Sequence, residues 1–129
     1  MRPPEIAKEW LEKAQDDYGF ACACLEDTTY FAQICFHFHQ AAEKYLKAFI
    51  IANKLEFRAI HNLLELLDIC TQKDPHIEQL RQSCLFLNAF YIDTRYPVHW
   101  PAHYDKNTAT QAKKMTEKIG NRVIDSVGH

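Results

Sequence analysis

Apolar residues recur at alternating steps of three and four along four separate stretches of this chain. That rhythm places one stripe per stretch on a single helical face and leaves little room for any fold but packed helices. From about Pro4 to Asp27 the stripe is Ala7, Leu11, Ala14, Tyr18, Ala21 and Leu25. From about Tyr30 to Asn53 it is Phe31, Ile34, Phe38, Ala41, Tyr45, Ala48 and Ala52, with Phe36, Leu46, Phe49 and Ile50 as apolar flanks. This second helix is apolar on more than one side and is expected at the centre. From about Pro75 to Thr94, Ile77, Leu80, Cys84, Leu87 and Tyr91 repeat the pattern, as do Ala112, Met115, Ile119 and Val123 in a last helix from Asn107 or Thr108 to about Ser126. A shorter helix opens at His61-Asn62 and runs from Leu63 to about Gln72, with Leu63, Leu66, Leu67 and Cys70 inward.

The punctuation agrees with this division. Pro4 suits a first helical turn, and Asp74-Pro75 reads as an N-cap followed by proline at the first helical position. The fourth stretch must stop before Pro97, because the residue ahead of a proline is driven out of the α region. Asn53 to Ile60 reads as a loop carrying Lys54 and Arg58. Gly19 is either tolerated within the first helix or permits a neighbour's close approach. The chain has only three glycines in 129 residues. Strand-rich folds need many more for their turns. The expected fold is all-α, an up-and-down antiparallel four-helix bundle with a short additional helix, as one domain over residues 1–129.

No run of 18 apolar residues occurs, so no membrane span is expected. Met1 to Glu5 lacks the apolar core of a secretory signal. Five cysteines, an odd number without a C-x-x-C pair, fit reduced thiols in a cytoplasmic protein. Cys22 and Cys24 point to different sides of one helix and make a poor metal pair. The net charge of −2 excludes a strongly basic nucleic-acid binder. The charge is uneven, however: −4 over residues 1–28, +2 over 29–58, −3 over 59–105 and +3 over 106–129. An anion site is therefore expected to involve the second or the last of these segments.

Two constellations could carry chemistry. The first is the stretch from Arg95 to Tyr104, where Tyr96, Pro97, His99, Trp100, Pro101 and His103 crowd into what reads as a loop. An arginine at a helix end can hold a phosphate through two hydrogen bonds. A histidine can move protons near neutral pH, and tyrosine or tryptophan can stack on a base. Arg95 with His99, or alternatively His103, is sufficient for metal-independent RNA cleavage by the 2′-hydroxyl. Arg95 could equally pair with an acidic helix, and Trp100 could plug the end of the bundle. The second constellation is a polar stripe on the second helix, His37, Gln40, Lys44 and Lys47, which could bind phosphate or simply form a solvated face. His39 and Glu43, four apart, could supply two metal ligands, but no third is indicated and neither a metal nor a cofactor is expected.

Three pieces of sequence together carry a family resemblance. They are Trp10-Leu11-Glu12-Lys13-Ala14-Gln15-Asp16-Asp17, Gln40-Ala41-Ala42-Glu43-Lys44-Tyr45-Leu46-Lys47-Ala48 with the later His61 to Leu63, and Arg95-Tyr96-Pro97. In order and spacing over nearly the whole chain, they resemble the W-x-x-K-A-x-x-D, Q-A-A-E-K-x-L-K-A, His-x-Leu and R-Y-P patterns of the HEPN family. The resemblance implies a four- or five-helix bundle, a homodimer with a cleft near the arginine, and a nucleotide or RNA as ligand. It also implies pairing with a minimal nucleotidyltransferase in a toxin–antitoxin-like couple. Ribonuclease members separate the arginine from a histidine by four to six residues. Here three residues separate Arg95 from His99 and seven separate it from His103. Some toxin members carry a modified tyrosine two positions after that histidine, whereas Tyr104 follows His103 directly.

Three functions follow as expectations. The first is a nucleotide- or partner-binding module acting through Arg95, Tyr96, Lys44, Lys47, Gln40 and His37. The second is a metal-independent ribonuclease using Arg95 and His99. The third is a structural dimeric adaptor whose second helix and aromatic loop form the interface.

Overall fold

A computed structural model describes residues 3–95 and 104–127. Five α-helices and a 3-10 segment follow one another: α1 (Pro3–Leu25), α2 (Phe31–Ala52), α3 (Leu63–Thr71), the 3-10 segment (Pro75–Leu80), α4 (Arg81–Arg95) and α5 (Lys106–Val127). No strand occurs among the described residues. The antiparallel bundle is built around α2, which packs against each of the other four helices. Thirteen of its 22 residues are buried, which is why the sequence there is apolar nearly all round. The stripes read from the sequence form the core: Ala7, Leu11, Ala14, Ala21 and Leu25 of α1 are buried, as are Ile34, Phe38, Ala41, Tyr45 and Ala48 of α2. All but Ala7 join one cluster with Leu66, Cys84, Leu87, Ile119 and Val123.

Local chemistry explains most of the boundaries. Asn62 caps α3, its side chain accepting from the backbone N–H groups of Leu64 (2.9 Å) and Glu65 (3.3 Å). Asp74 caps the 3-10 segment through the His76 N–H, with Pro75 following it. Two boundaries differ from expectation. The fourth stretch is not one helix from Pro75, since its first six residues wind as 3-10 before α4 begins at Arg81. The last helix starts earlier, with Asp105 as its cap: the Asp105 carboxylate accepts from the Thr108 N–H at 2.8 Å.

The end of α2 sets up the site. The Leu55 N–H bonds back to the Ile50 carbonyl (2.9 Å) and the Lys54 N–H to that of Ile51 (3.1 Å). This is a Schellman closure, with Lys54 in the left-handed position (φ 57°) that glycine usually fills. The chain therefore reverses sharply, and residues 55–62 fold back beside α2. The loop delivers Phe57 to Trp10 (ring centroids 5.7 Å apart) and His61 to Glu43. Asn88 of α4 then accepts from the Leu63 N–H (2.9 Å), tying the start of α3 to α4.

Candidate functional site

Residues Phe36, His39, Glu43 and Lys47 form one row of α2, at steps of three, four and four, and face the returning loop and α4. Glu43 is the hub. Its carboxylate is buried, with one oxygen 2.8 Å from Lys47 Nζ and the other 2.9 Å from His61 Nδ1. Lys47 is itself buried, its ammonium lying 5.5 Å from the Trp10 ring centroid and 5.8 Å from that of Phe57. A buried cation is tolerated here because a carboxylate and two ring faces replace its water.

His39 is fully buried beneath His61. Its Nε2–H donates to the His61 backbone carbonyl (3.1 Å), so Nδ1 carries the lone pair and has no partner. Burial holds the ring neutral, its pKa lowered to about 4 against the opposing pull of Glu43. His39 stacks on Tyr91 of α4 at 5.4 Å, and His61 stacks on the same tyrosine at 5.0 Å. Beside this aromatic wall lies a cavity of about 360 Å³ lined by Ala59, Ile60, His61, Asn62, Glu65, Asn88 and Tyr91. The His61 ring remains about half exposed there. Arg95, the last residue of α4, stands one helical turn beyond Tyr91.

The expected polar stripe does not stay together. His37 lies edge-on to Phe20 (5.0 Å) at a second cavity of about 540 Å³ between the end of α1 and the start of α2. That cavity is larger but mainly apolar, with Phe20, Tyr30 and Ile34 in its lining, and it lies away from the Glu43 hub. Gln40 is half-buried, its Oε1 without a partner. Lys44 turns to α1 and pairs with Asp17 at 2.5 Å. Lys47 belongs to the neighbouring row, where Glu43 and the aromatic rings neutralise it. Of the other candidates, Tyr96, His99 and His103 lie outside the described residues, as does Trp100. Arg95 is placed by its backbone at the end of α4.

The sequence holds a signal for this site that periodicity alone does not bring out. His39, Glu43 and Lys47 stand at successive steps of four, too polar a row for the buried side of a helix unless its members satisfy one another. Among the described residues no three His, Cys, Asp or Glu side chains are placed to share an ion. No described helix is long and apolar enough to cross a membrane.

Known proteins share this architecture. A crystal structure of TT1696 from Thermus thermophilus superposes with a TM-score of 0.82 at 31% identity, covering 92% of this chain and 96% of that one. A crystal structure of ST0689, described as an archaeal HEPN homologue, superposes with a TM-score of 0.77 at 24% identity, covering 98% of each chain. No curated protein matches. The HEPN domain model matches residues 7–126, from the first buried residue of α1 to the last turn of α5 and across the whole Glu43 row. With the bundle, the spacing of its patterns and this match in agreement, the chain belongs to the HEPN domain family.

Proposed function

We propose that this protein binds a nucleotide or an RNA phosphodiester in the cleft between the α2–α3 loop and the end of α4. The observation that carries the reading is the aromatic wall of His61 on Tyr91 beside the cavity, with Arg95 one turn further along α4. An aromatic wall offers a base a flat apolar surface, and an arginine at the adjoining helix end supplies a planar cation for phosphate. The Asn62 and Asn88 carboxamides, which bond to each other at 3.3 Å, add a polar edge. Lys44 and Lys47, both held in ion pairs, are secondary to this cleft. Homodimerisation and a minimal nucleotidyltransferase partner, which the family resemblance implies, extend the same proposal.

Calorimetric titration tests the reading. AMP and a short 2′-deoxy oligonucleotide are titrated into the wild type, Arg95→Ala and Tyr91→Ala. Saturable binding to the wild type, weakened at least tenfold in both variants, is the expected result. No binding to the wild type, or binding that Arg95→Ala leaves unchanged, overturns it.

A further inference from the structure

The turn between α1 and α2 brings two short rows of side chains to one cavity. Phe20, Cys24 and Asp27 follow one another at helical steps down the end of α1 and into the turn. Tyr30, Ile34 and His37 do the same out of the turn and up the start of α2. All six line the cavity of about 540 Å³ that lies away from the Glu43 hub. Backbone bonds fix the turn: the Asp27 N–H donates to the Cys24 carbonyl (3.1 Å) and the Tyr30 N–H to Thr28 Oγ1 (2.9 Å). Phe20 and Tyr30, at 53% and 71%, are the two most exposed large apolar side chains of the described surface, and both stand at this cavity. Large apolar groups gathered at one concave place mark a binding surface, whereas scattered ones do not. His37 packs edge-on to Phe20 at 5.0 Å and holds that ring at the rim.

The charge at this cavity has one sign. Its lining contains no lysine or arginine, and Asp27 is its one carboxylate. The neighbouring Glu26 is held by Lys106 at 2.8 Å, but no ion pair engages Asp27 among the described residues. Nor does α1 carry a basic residue in its last turn, so the negative end of its dipole is left uncompensated at the same place. Residues 1–28 as a whole carry −4. A phosphate finds no cation here and meets a carboxylate, so this cavity and the nucleotide cleft call for opposite ligands.

We infer that the cavity between the end of α1 and the start of α2 is a separate binding site for a small organic cation, a protonated amine carried on an aromatic or alkyl body. The body lies on Phe20, Tyr30 and Ile34. The ammonium meets the Asp27 carboxylate and the carbonyl end of α1, and the two aromatic rings attract it through their faces. The inference does not depend on the nucleotide cleft and can fail without it.

The test uses three compounds of one shape and three charges: 3-phenylpropylamine, 3-phenylpropan-1-ol and 3-phenylpropanoate. Each is titrated at pH 7 into the full chain labelled with nitrogen-15, and amide shifts are followed. Saturable shifts are expected at residues 20–37 and not at the nucleotide cleft, with the amine bound about fivefold more tightly than the alcohol. The carboxylate is expected not to bind. Asp27→Asn removes the advantage of the amine over the alcohol, and Phe20→Ala weakens both; each residue is exposed, so neither variant disturbs the core. Equal binding of amine and alcohol by the wild type overturns the inference, as does amine binding that Asp27→Asn leaves unchanged. So does the absence of any saturable shift up to about 10 mM amine. Sedimentation of the free protein addresses the rival occupant: a dimer that Phe20→Ala and Tyr30→Ala each convert to monomer assigns this face to a second copy and overturns the cation site.

Discussion

His39 shows what one buried polar side chain contributes to the rest. It packs between Phe36 and Tyr91, gives its one N–H to the His61 carbonyl and keeps a lone pair without a partner. Such a group costs stability by itself and is retained because it holds the loop that carries His61. It also couples folding to pH. The folded-state pKa is depressed to about 4 by burial, against an ordinary value of 6.5. The unfolded chain therefore binds the proton first as pH falls. The stability this ring contributes is complete above about pH 6.5 and is lost as pH drops towards 4, by about 3 kcal/mol in total. Urea unfolding at a series of pH values checks this: the wild type should lose about that much more than His39→Gln between pH 7 and pH 4. Lys47 and Lys44 differ by the same logic of burial. Both are paired, but Lys47 is enclosed at 5% side-chain exposure and Lys44 stands at 27%, so removing Lys47 strands a buried carboxylate and removing Lys44 does not.

Along α2 the decisive fact is that adjacent rows do different work. The row Phe36, His39, Glu43 and Lys47 faces the loop and α4, while His37 and Lys44 face α1. A third side meets α5 at unusually short range. A Cβ built on Gly120 would come within 2.8 Å of the Tyr45 ring, closer than a carbon contact allows, so this glycine is required by a close approach of α2 and α5. Gly19 of α1 has nothing within 4 Å of its notional Cβ, so the close approach entertained for it is absent. The two glycines should therefore respond oppositely to alanine. Gly19→Ala is expected to stabilise by about 0.5–1 kcal/mol through helix propensity. Gly120→Ala is expected to destabilise by about 1–3 kcal/mol through overpacking. Thermal melts of the two variants beside the wild type decide it.

Across the whole molecule, burial sorts the five cysteines. Cys35, Cys70 and Cys84 lie in the core as free thiols, and burial pushes the pKa of each up to about 12. Cys22 and Cys24 sit on the flank of α1, half-buried. A thiol-reactive chromogenic disulfide at pH 8 should therefore titrate two thiols in the native protein and five in denaturant. Three or more fast thiols without denaturant would show that the core of the bundle opens. Cys70 and Cys84 belong to α3 and α4, and the Cys70 thiol donates to the Leu46 carbonyl of α2 at 3.8 Å, so slow reaction of these thiols reports the packing of α3 and α4 on α2.

The bundle is legible along the chain because it rests on periodicity. Steps of three and four along α1, α2, α4 and α5, few glycines, and caps such as Asp74-Pro75 are local properties that a chain carries in its own order. The family patterns at Trp10, Gln40 to Ala48 and Arg95-Tyr96-Pro97 are equally written along it. The start of α4 departs from expectation because a 3-10 turn and an α-helix share the apolar spacing of Ile77 and Leu80, and the Asp105 cap because Asn107 and Thr108 are also good capping types. Placing His61 is beyond local information altogether. Its meeting with Glu43 depends on a left-handed turn at Lys54, a residue that announces no such turn, and on an Asn88 that draws the start of α3 onto α4. The chain's order offers Lys47 to two rows, the His37, Gln40 and Lys44 stripe and the steps of four from His39 and Glu43, since steps of three and four both keep residues on neighbouring lines of a helix. Residue order alone thus suffices for the helices, their inward faces and the family. Which polar residues meet is settled only in three dimensions, because ion pairs and hydrogen bonds act over a few ångströms between segments brought together when the core closes.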